Sequence, residues 1–192
     1  MNKQTLRSLY KQKRLELSDQ QRAKLDDLLL IQLQRLPLPE FTATLLTYWP
    51  LDRHGEMDTH LYTRYLQHAI PGLQVAYPIV DAKSQQMKAV LTDNDTQFFD
   101  NIYGIPEPLH TIKALIDPQD IDLIFVPLLT FDKFGYRVGY GKGYYDRFLQ
   151  HCQPDICKVG FSYFEPVDKI TDTNHYDVPL SHCITPEQIY EF

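Results

Sequence analysis

Asp122-Leu-Ile-Phe-Val-Pro-Leu-Leu-Thr-Phe-Asp-Lys-Phe-Gly-Tyr-Arg-Val-Gly-Tyr-Gly-Lys-Gly-Tyr-Tyr-Asp-Arg-Phe-Leu149 is the stretch from which the rest of the chain is read. It opens with the apolar run Leu123 to Val126, bounded by Asp122 and Pro127, the pattern of a short strand buried in a parallel sheet. It closes with Tyr144 to Leu149, which reads as the first turns of a helix. Between them stand Gly135, Gly139, Gly141 and Gly143, with Arg137 and Lys142 among them. Glycines let backbone approach a ligand closely, and the first N–H groups of a helix lack intrahelical partners. Strand, glycine-rich turn, helix start and two cations together predict a site for anionic oxygens such as phosphate.

The loop departs from two common phosphate motifs. A Walker A loop carries Ser or Thr after its Gly-Lys pair, whereas Gly143 follows Lys142. A dinucleotide fingerprint places two residues between its last glycines, whereas Gly139, Gly141 and Gly143 alternate with single residues. On glycine content alone, a surface loop without a ligand competes with the phosphate reading.

At 192 residues the chain suits one domain, 1–192, with a sizeable core. Its formal net charge of −6 opposes general nucleic-acid binding, which needs a basic surface. Cys152, Cys157 and Cys183 lack metal-site spacing and read as reduced, buried thiols of a cytosolic protein. No apolar run reaches membrane-spanning length, and the basic start leads into Leu15-Glu-Leu-Ser-Asp19 rather than a signal-peptide core. The expectation is a cytoplasmic monomer with no nucleic-acid or membrane partner.

Residues 3 to 15 predict a helix with Leu6, Leu9, Tyr10 and Lys13 along one side. Lys3, Arg7, Lys11 and Arg14 form a cationic stripe on it, either a solvated face or positive charge held over a polyphosphate. Ser18 and Gln21 form a capping box for a second helix, with an apolar face of Leu25, Leu28, Leu29, Leu33 and Leu36. Ala43 to Trp49 predicts a strand, and the residues beyond it occupy the carboxyl end, where α/β domains bind ligands. Asp58 or Thr59 caps the next helix, while Glu56 reads as a loop charge or as a carboxylate awaiting a donor. Leu73 to Val80 and Met87 to Leu91 predict a hairpin. The aromatic residues of Phe98 to Pro108 either line a ligand cleft or pack inside, with Phe98 and Phe99 expected in the core, and Ile156 to Phe161 reads as another buried strand. Alternating helix and strand patterns indicate an α/β domain of three layers, α/β/α, with a mostly parallel sheet.

Arg137-Val-Gly-Tyr-Gly-Lys-Gly-Tyr-Tyr-Asp146, following Val126-Pro-Leu-Leu-Thr-Phe-Asp132, resembles the signature of the 5-formyltetrahydrofolate cyclo-ligases, also called 5,10-methenyltetrahydrofolate synthetases. Lys3-Gln-Thr-Leu-Arg7, Glu56-Met-Asp-Thr59, Gly104-Ile-Pro-Glu-Pro108 and Asp177-Val-Pro179 extend the likeness along nearly the whole chain. The resemblance implies a fold similar to the NagB/RpiA/CoA-transferase group. It implies ATP binding by Lys3, Gln4, Thr5, Leu6 and Arg7, and by Arg137, Val138, Gly139, Tyr140, Gly141, Lys142, Gly143, Tyr144 and Tyr145. Folate would be held by Leu51 and Glu56 with Tyr140, Gly141, Lys142, Gly143 and Tyr144, and Mg²⁺ by Asp146 and Asp177. Lys142 and Arg137 are the expected catalytic pair.

The implied reaction converts ATP and 5-formyltetrahydrofolate to 5,10-methenyltetrahydrofolate, ADP and phosphate. The formyl oxygen is a poor leaving group until it receives the γ-phosphoryl group, after which N10 attacks the activated carbon. Such chemistry needs positioning and charge neutralisation more than a strong base. The loop alone leaves two rivals: a binder that sequesters a reduced folate or nucleotide, and an ATP-dependent enzyme acting on another N-formyl or pterin-like compound.

Overall fold

The computed structural model describes residues 1–111 and 114–192. The chain begins with helices α1 (Lys3–Leu15) and α2 (Asp19–Leu33), strand β1 (Thr44–Leu46), helix α3 (Thr59–Ala69) and strands β2 (Gln74–Asp81) and β3 (Gln86–Thr92). Short strands follow: β4 (Phe98–Asp100), β5 (Pro106–Pro108), β6 (Leu115–Ile116), β7 (Leu123–Phe125), β8 (Thr130–Phe131) and β9 (Arg137–Val138). Helix α4 (Tyr144–Leu149) and strands β10 (Cys157–Phe161), β11 (His182–Ile184) and β12 (Ile189–Glu191) complete it.

The main sheet has the order β12-β11-β10-β7-β1-β2-β3-β6. From β11 to β2 every neighbouring pair is parallel, and the antiparallel strands β12, β3 and β6 are confined to the flanks. Side chains of successive strand residues point to opposite faces, and both faces here are apolar. Leu45, Leu123, Phe125, Val159 and Phe161 pack under α2 and α3. Leu46, Ile124 and Val126 pack against Phe148 and Leu149 of α4. The three-layer α/β arrangement therefore holds, with a thin layer on the α4 side. Helix α1 stands apart from both, packing Leu6 and Tyr10 against Leu129, Val138 and Ile170.

Local signals explain the element ends. Asn2 caps α1 by accepting from the Thr5 amide, Ser18 and Gln21 close the capping box of α2, and Asp58 caps α3. The hairpin joining β2 and β3 pairs from Val75↔Thr92 to Asp81↔Gln86.

Four expectations need correction. Strand β1 covers only Thr44–Leu46, because the chain turns out of the sheet before Pro50 and only the Thr47 amide still reaches Ala76. Phe99 is 58% exposed, since β4 pairs only with β5, and it is Phe98 that packs on Trp49 and Tyr77. Leu9 lies at the surface, 36% exposed. Arg14 does not belong to a solvated stripe: it is 1% exposed and donates from Nη2 to the Leu128 carbonyl.

Candidate active site

Loop geometry comes first. Between Val126 and the glycine run, β8 and β9 form a small hairpin that the sequence pattern did not announce. Asp132 sets its turn: Oδ1 accepts from the Phe134 and Tyr136 amides, and Oδ2 accepts from the Ile170 amide. The loop then passes over Pro127 as Gly139 and turns at Gly141 (φ +91°) and Gly143 (φ +68°), left-handed conformations that favour glycine. A side chain at Gly141 would meet the Arg7 guanidinium at 3.2 Å. The helix after the loop spans only six residues, so its dipole is smaller than the sequence pattern suggested.

One cavity of about 520 Å³ opens where the chain leaves the carboxyl ends of β1 and β7. Its first wall is cationic. The Lys3 ammonium donates to both oxygens of Asp177 at 2.5 and 2.6 Å, joining α1 to a segment 174 residues away. Arg7 donates from Nε to the Gly139 carbonyl at 2.9 Å. Arg137 donates from Nη2 to Asp146 at 2.9 Å and from Nη1 to the Val178 carbonyl at 2.5 Å. Asp146 also receives the Val178 amide at 3.2 Å, so the two candidate metal carboxylates lie on neighbouring parts of one wall. The Lys142 ammonium makes no hydrogen bond or ion pair among the described residues and lies 5.6 Å from the centre of the Tyr103 ring.

The second wall carries Tyr48, Trp49, Leu51, His54 and Glu56, with Tyr140 reaching over from the loop. Glu56 is 8% exposed. Its Oε2 accepts from the Leu51 amide at 2.9 Å, and its Oε1 accepts from the Tyr140 hydroxyl. A buried carboxylate requires such donors, and oxygen lone pairs remain for a ligand. Burial pushes the Tyr48 and Tyr140 hydroxyls far above their ordinary range, with the Glu56 charge adding to it, so both stay neutral and Tyr140 keeps the proton that it donates to Glu56. Burial pulls His54 below the ordinary imidazole range, and its Nδ1 is buried without a partner among the described residues. Tyr145 lines the cavity with its hydroxyl buried and without a partner among the described residues.

The fold thus brings together Lys3, Arg7, Leu51, Glu56, Arg137, Gly139 through Tyr145, Asp146 and Asp177 from among the sequence candidates. Gln4, Thr5, Leu6 and Val138 do not line the cavity. Residues one and two positions apart do not share a helix face, which leaves Gln4 and Thr5 exposed, while Leu6 and Val138 pack in the core below. Trp49, Arg53 and His54 also line the cavity and were not singled out in the sequence, whereas Tyr103 lines it as an aromatic residue of the Phe98 to Pro108 segment. Position at the end of a predicted strand, for Trp49, or just past it, for Arg53 and His54, was the one signal available.

Among the described residues no three His, Cys, Asp or Glu side chains gather closely enough to hold a metal ion by themselves. Asp146 and Asp177 supply hard oxygen atoms, and Mg²⁺ is commonly held by one or two carboxylates completed by substrate phosphates. The donor set fits a cation that arrives with a polyphosphate. Among the described residues no helix is long and apolar enough to cross a membrane.

Comparison with known proteins agrees with this geometry. The model of the 5-formyltetrahydrofolate cyclo-ligase family matches residues 1–186. A 5-formyltetrahydrofolate cyclo-ligase of Haemophilus influenzae is 39% identical over 87 residues, an alignment that spans 45% of this chain and 46% of that protein. One from Escherichia coli K12 is 25% identical over 186 residues, covering 96% of this chain and all of that protein. The solved structure of Aquifex aeolicus 5,10-methenyltetrahydrofolate synthetase superposes with a TM-score of 0.79 at 29% identity, over all of this chain and 93% of that one.

Proposed function

Because the chain belongs to the 5-formyltetrahydrofolate cyclo-ligase family, we propose that it closes 5-formyltetrahydrofolate to 5,10-methenyltetrahydrofolate at the expense of ATP. The observation that carries this reading is the pairing, across one cavity, of a cationic glycine loop with a buried carboxylate held by neutral donors. An aminopyrimidine presents N–H groups that match the open lone pairs of Glu56, and Trp49 and Leu51 flank it. With the pterin held there, the N5-formyl group faces the loop.

In this reading Lys3, Arg7, Arg137 and Lys142 neutralise the triphosphate, and the amides of Gly139 to Tyr145 take its oxygens. The ion pairs of Lys3 with Asp177 and of Arg137 with Asp146 keep the cations in place before ATP arrives. Mg²⁺, when bound, would be held by Asp146 and Asp177 with phosphate oxygens and would offset charge on the transferring group. The formyl oxygen attacks the γ-phosphorus and ADP leaves. N10 then bonds to the formyl carbon and loses its proton, the carbon–oxygen bond breaks, and phosphate departs. Holding N10 against that carbon makes closure unimolecular, an advantage of up to roughly 7–11 kcal/mol.

The candidate ligands run from Lys3 to Asp177, which supports one catalytic domain across 1–192. We take the enzyme to act as a cytoplasmic monomer on folate with or without a glutamate chain, a setting that suits three free buried cysteines. The test mixes the purified chain with 5-formyltetrahydrofolate and Mg²⁺ and follows near-ultraviolet absorbance of the methenyl product before and after ATP. Absorbance should rise only with ATP, with one ADP released per methenyl group. Binding of both ligands without any rise would overturn the assignment and leave a folate binder.

A further inference from the structure

Arg147 stands one residue beyond Asp146, and its guanidinium turns back onto the glycine loop. It shares a face of α4 with Tyr144, three residues before it, and its Cζ lies 5.4 Å from the centre of that ring. From there Nε and Nη2 donate to the Gln85 carbonyl at 3.0 and 2.8 Å, and Nη2 also donates to the Lys142 carbonyl at 3.0 Å. No carboxylate lies within ion-pair distance of it among the described residues. A planar fork of donors is suited to holding two main-chain oxygens at once, a geometry that the single ammonium of a lysine does not copy.

Both acceptors sit where the backbone is unusual. Gln85, at the tip of the hairpin between β2 and β3, has φ +55° and is the one non-glycine residue with a left-handed backbone among the described residues. Lys142 stands between Gly141 and Gly143, so the peptide joining it to Gly143 borders a residue that takes either sign of φ and turns over at small cost. A Cβ at Gly143 would lie 2.8 Å from Arg147 Nη1, so the missing side chain also leaves room for the guanidinium. In a trans peptide the C=O and the N–H point to opposite sides. With the Lys142 carbonyl held by Arg147, the Gly143 N–H is turned away from Arg147, and it has no main-chain partner among the described residues. Lys142 and Gly143 line the cavity, as do Pro78, Val80 and Met87 of the hairpin that Arg147 ties to the loop.

We propose that Arg147 is a positioning residue for the triphosphate: by holding the Lys142 carbonyl outward, it keeps the Gly143 N–H turned to the cavity, where it receives a phosphate oxygen. The inference rests on the functional reading above. Released from Arg147, the peptide turns over about its glycine, and the cavity then presents a carbonyl oxygen to the phosphate in place of a donor. The same guanidinium holds the hairpin tip at Gln85, so loop and hairpin keep one spacing beside the cavity. Arg147 does this without touching substrate, and its fork onto two carbonyls, the left-handed Gln85 and the glycine at 143 share one explanation.

The experiment compares Arg147→Met and Arg147→Lys with the wild type on the full chain. Binding of a non-hydrolysable ATP analogue with Mg²⁺ is measured by calorimetry, and the KM of each substrate by methenyl absorbance. The eight glycine amides are followed by NMR of protein carrying isotope-labelled glycine. Both variants should bind the analogue roughly tenfold more weakly, while the KM for 5-formyltetrahydrofolate stays within about twofold. The Gly143 amide should shift when the analogue is added to the wild type, and should be broadened or doubled in the free variants, with the Gly72 and Gly160 amides unmoved. Full recovery of binding in Arg147→Lys would reduce Arg147 to a nearby positive charge and overturn the proposal. An unchanged Gly143 amide in Arg147→Met would overturn it too, because the peptide would then keep its orientation unaided. Should Arg147→Met fail to fold, Arg147→Lys is read by the same two measurements. A wild-type chain that does not bind the analogue would sink the functional reading and this inference together, whereas undiminished binding by both variants of a turning-over enzyme would sink only the inference.

Discussion

The wall built from Gly139 to Gly143 with Lys3, Arg7 and Arg137 and the wall built from Tyr48 to Glu56 share one cavity but hold charge in different ways. On the first wall, cations already face carboxylates: Lys3 on Asp177 and Arg137 on Asp146, with Lys142 left in solvent. A polyphosphate entering there exchanges one set of anionic oxygens for another, so little new charge is stripped of partners. On the second wall Glu56 is surrounded by neutral donors and aromatic rings. Among the described residues no cation lies within ion-pair distance of its carboxylate, and a ligand gains by presenting N–H groups in the right place. In the proposed reading the first wall sets the rate of phosphoryl transfer, and the second sets which molecule is held for it.

Removing the most exposed cation tests the first half of that contrast and has the largest expected effect. Lys142→Ala should lower kcat by roughly 10²–10³-fold, the range for deleting one electrostatic donor at a reacting centre. Its ammonium makes no hydrogen bond among the described residues, so thermal melting should not move. A variant that keeps kcat while raising only the KM for ATP would make Lys142 a binding group, and the wall a passive cradle.

Glu56→Gln tests the second half. The amide keeps the shape but replaces one acceptor by a donor, which then faces the pterin N–H groups or the Tyr140 hydroxyl. The KM for 5-formyltetrahydrofolate should rise roughly ten- to a hundredfold while the KM for ATP stays put. Steady-state kinetics with each substrate varied in turn decides it. If both constants rose together, the two walls would be one coupled site and the division drawn here would fail.

How far each wall was legible in the sequence follows from how it is assembled. The glycine loop and its flanking cations are contiguous from Arg137 to Asp146, so spacing alone pointed to anionic oxygens. The partners of those cations were not visible, because Lys3 meets Asp177 across 174 residues and only the folded topology joins them. The second wall gathers Tyr48 to Glu56 with Tyr140 from 84 residues beyond Glu56, and no local pattern marks that meeting. Arg14 was misread for a related reason. Its spacing from Lys3, Arg7 and Lys11 is that of a solvated stripe, and only packing against Gly55 and Leu128 shows that the last turn of α1 dips inward. Strand and helix order were readable because apolar runs and caps are local, whereas the β8–β9 hairpin depends on Asp132 gathering amides up to Ile170.

A third buried carboxylate sharpens the comparison away from any ligand, with the smallest expected effect. Asp26 is built like Glu56: its Oδ1 accepts from the Tyr62 hydroxyl at 2.8 Å, the Tyr163 hydroxyl at 2.9 Å and the Asp58 amide at 3.3 Å. Burial pushes its carboxyl above the ordinary range, and those three donors only partly oppose the shift. The folded protein therefore holds a proton on Asp26 at pH values where the unfolded chain has lost it. For such a group the stabilising contribution is complete below the unfolded value, about 3.9, and is lost as pH rises through the raised folded value. Asn in this place keeps an oxygen for all three donors and removes the titration. Urea unfolding from pH 4 to pH 7 should show the wild type losing stability relative to Asp26→Asn as pH rises, then running parallel to it once the folded carboxyl has ionised. A difference independent of pH would mean that two tyrosine hydroxyls and an amide fully offset burial at Asp26. Neutral donors alone would then suffice to hold a buried carboxylate in this fold, as the Leu51 amide and the Tyr140 hydroxyl do at Glu56.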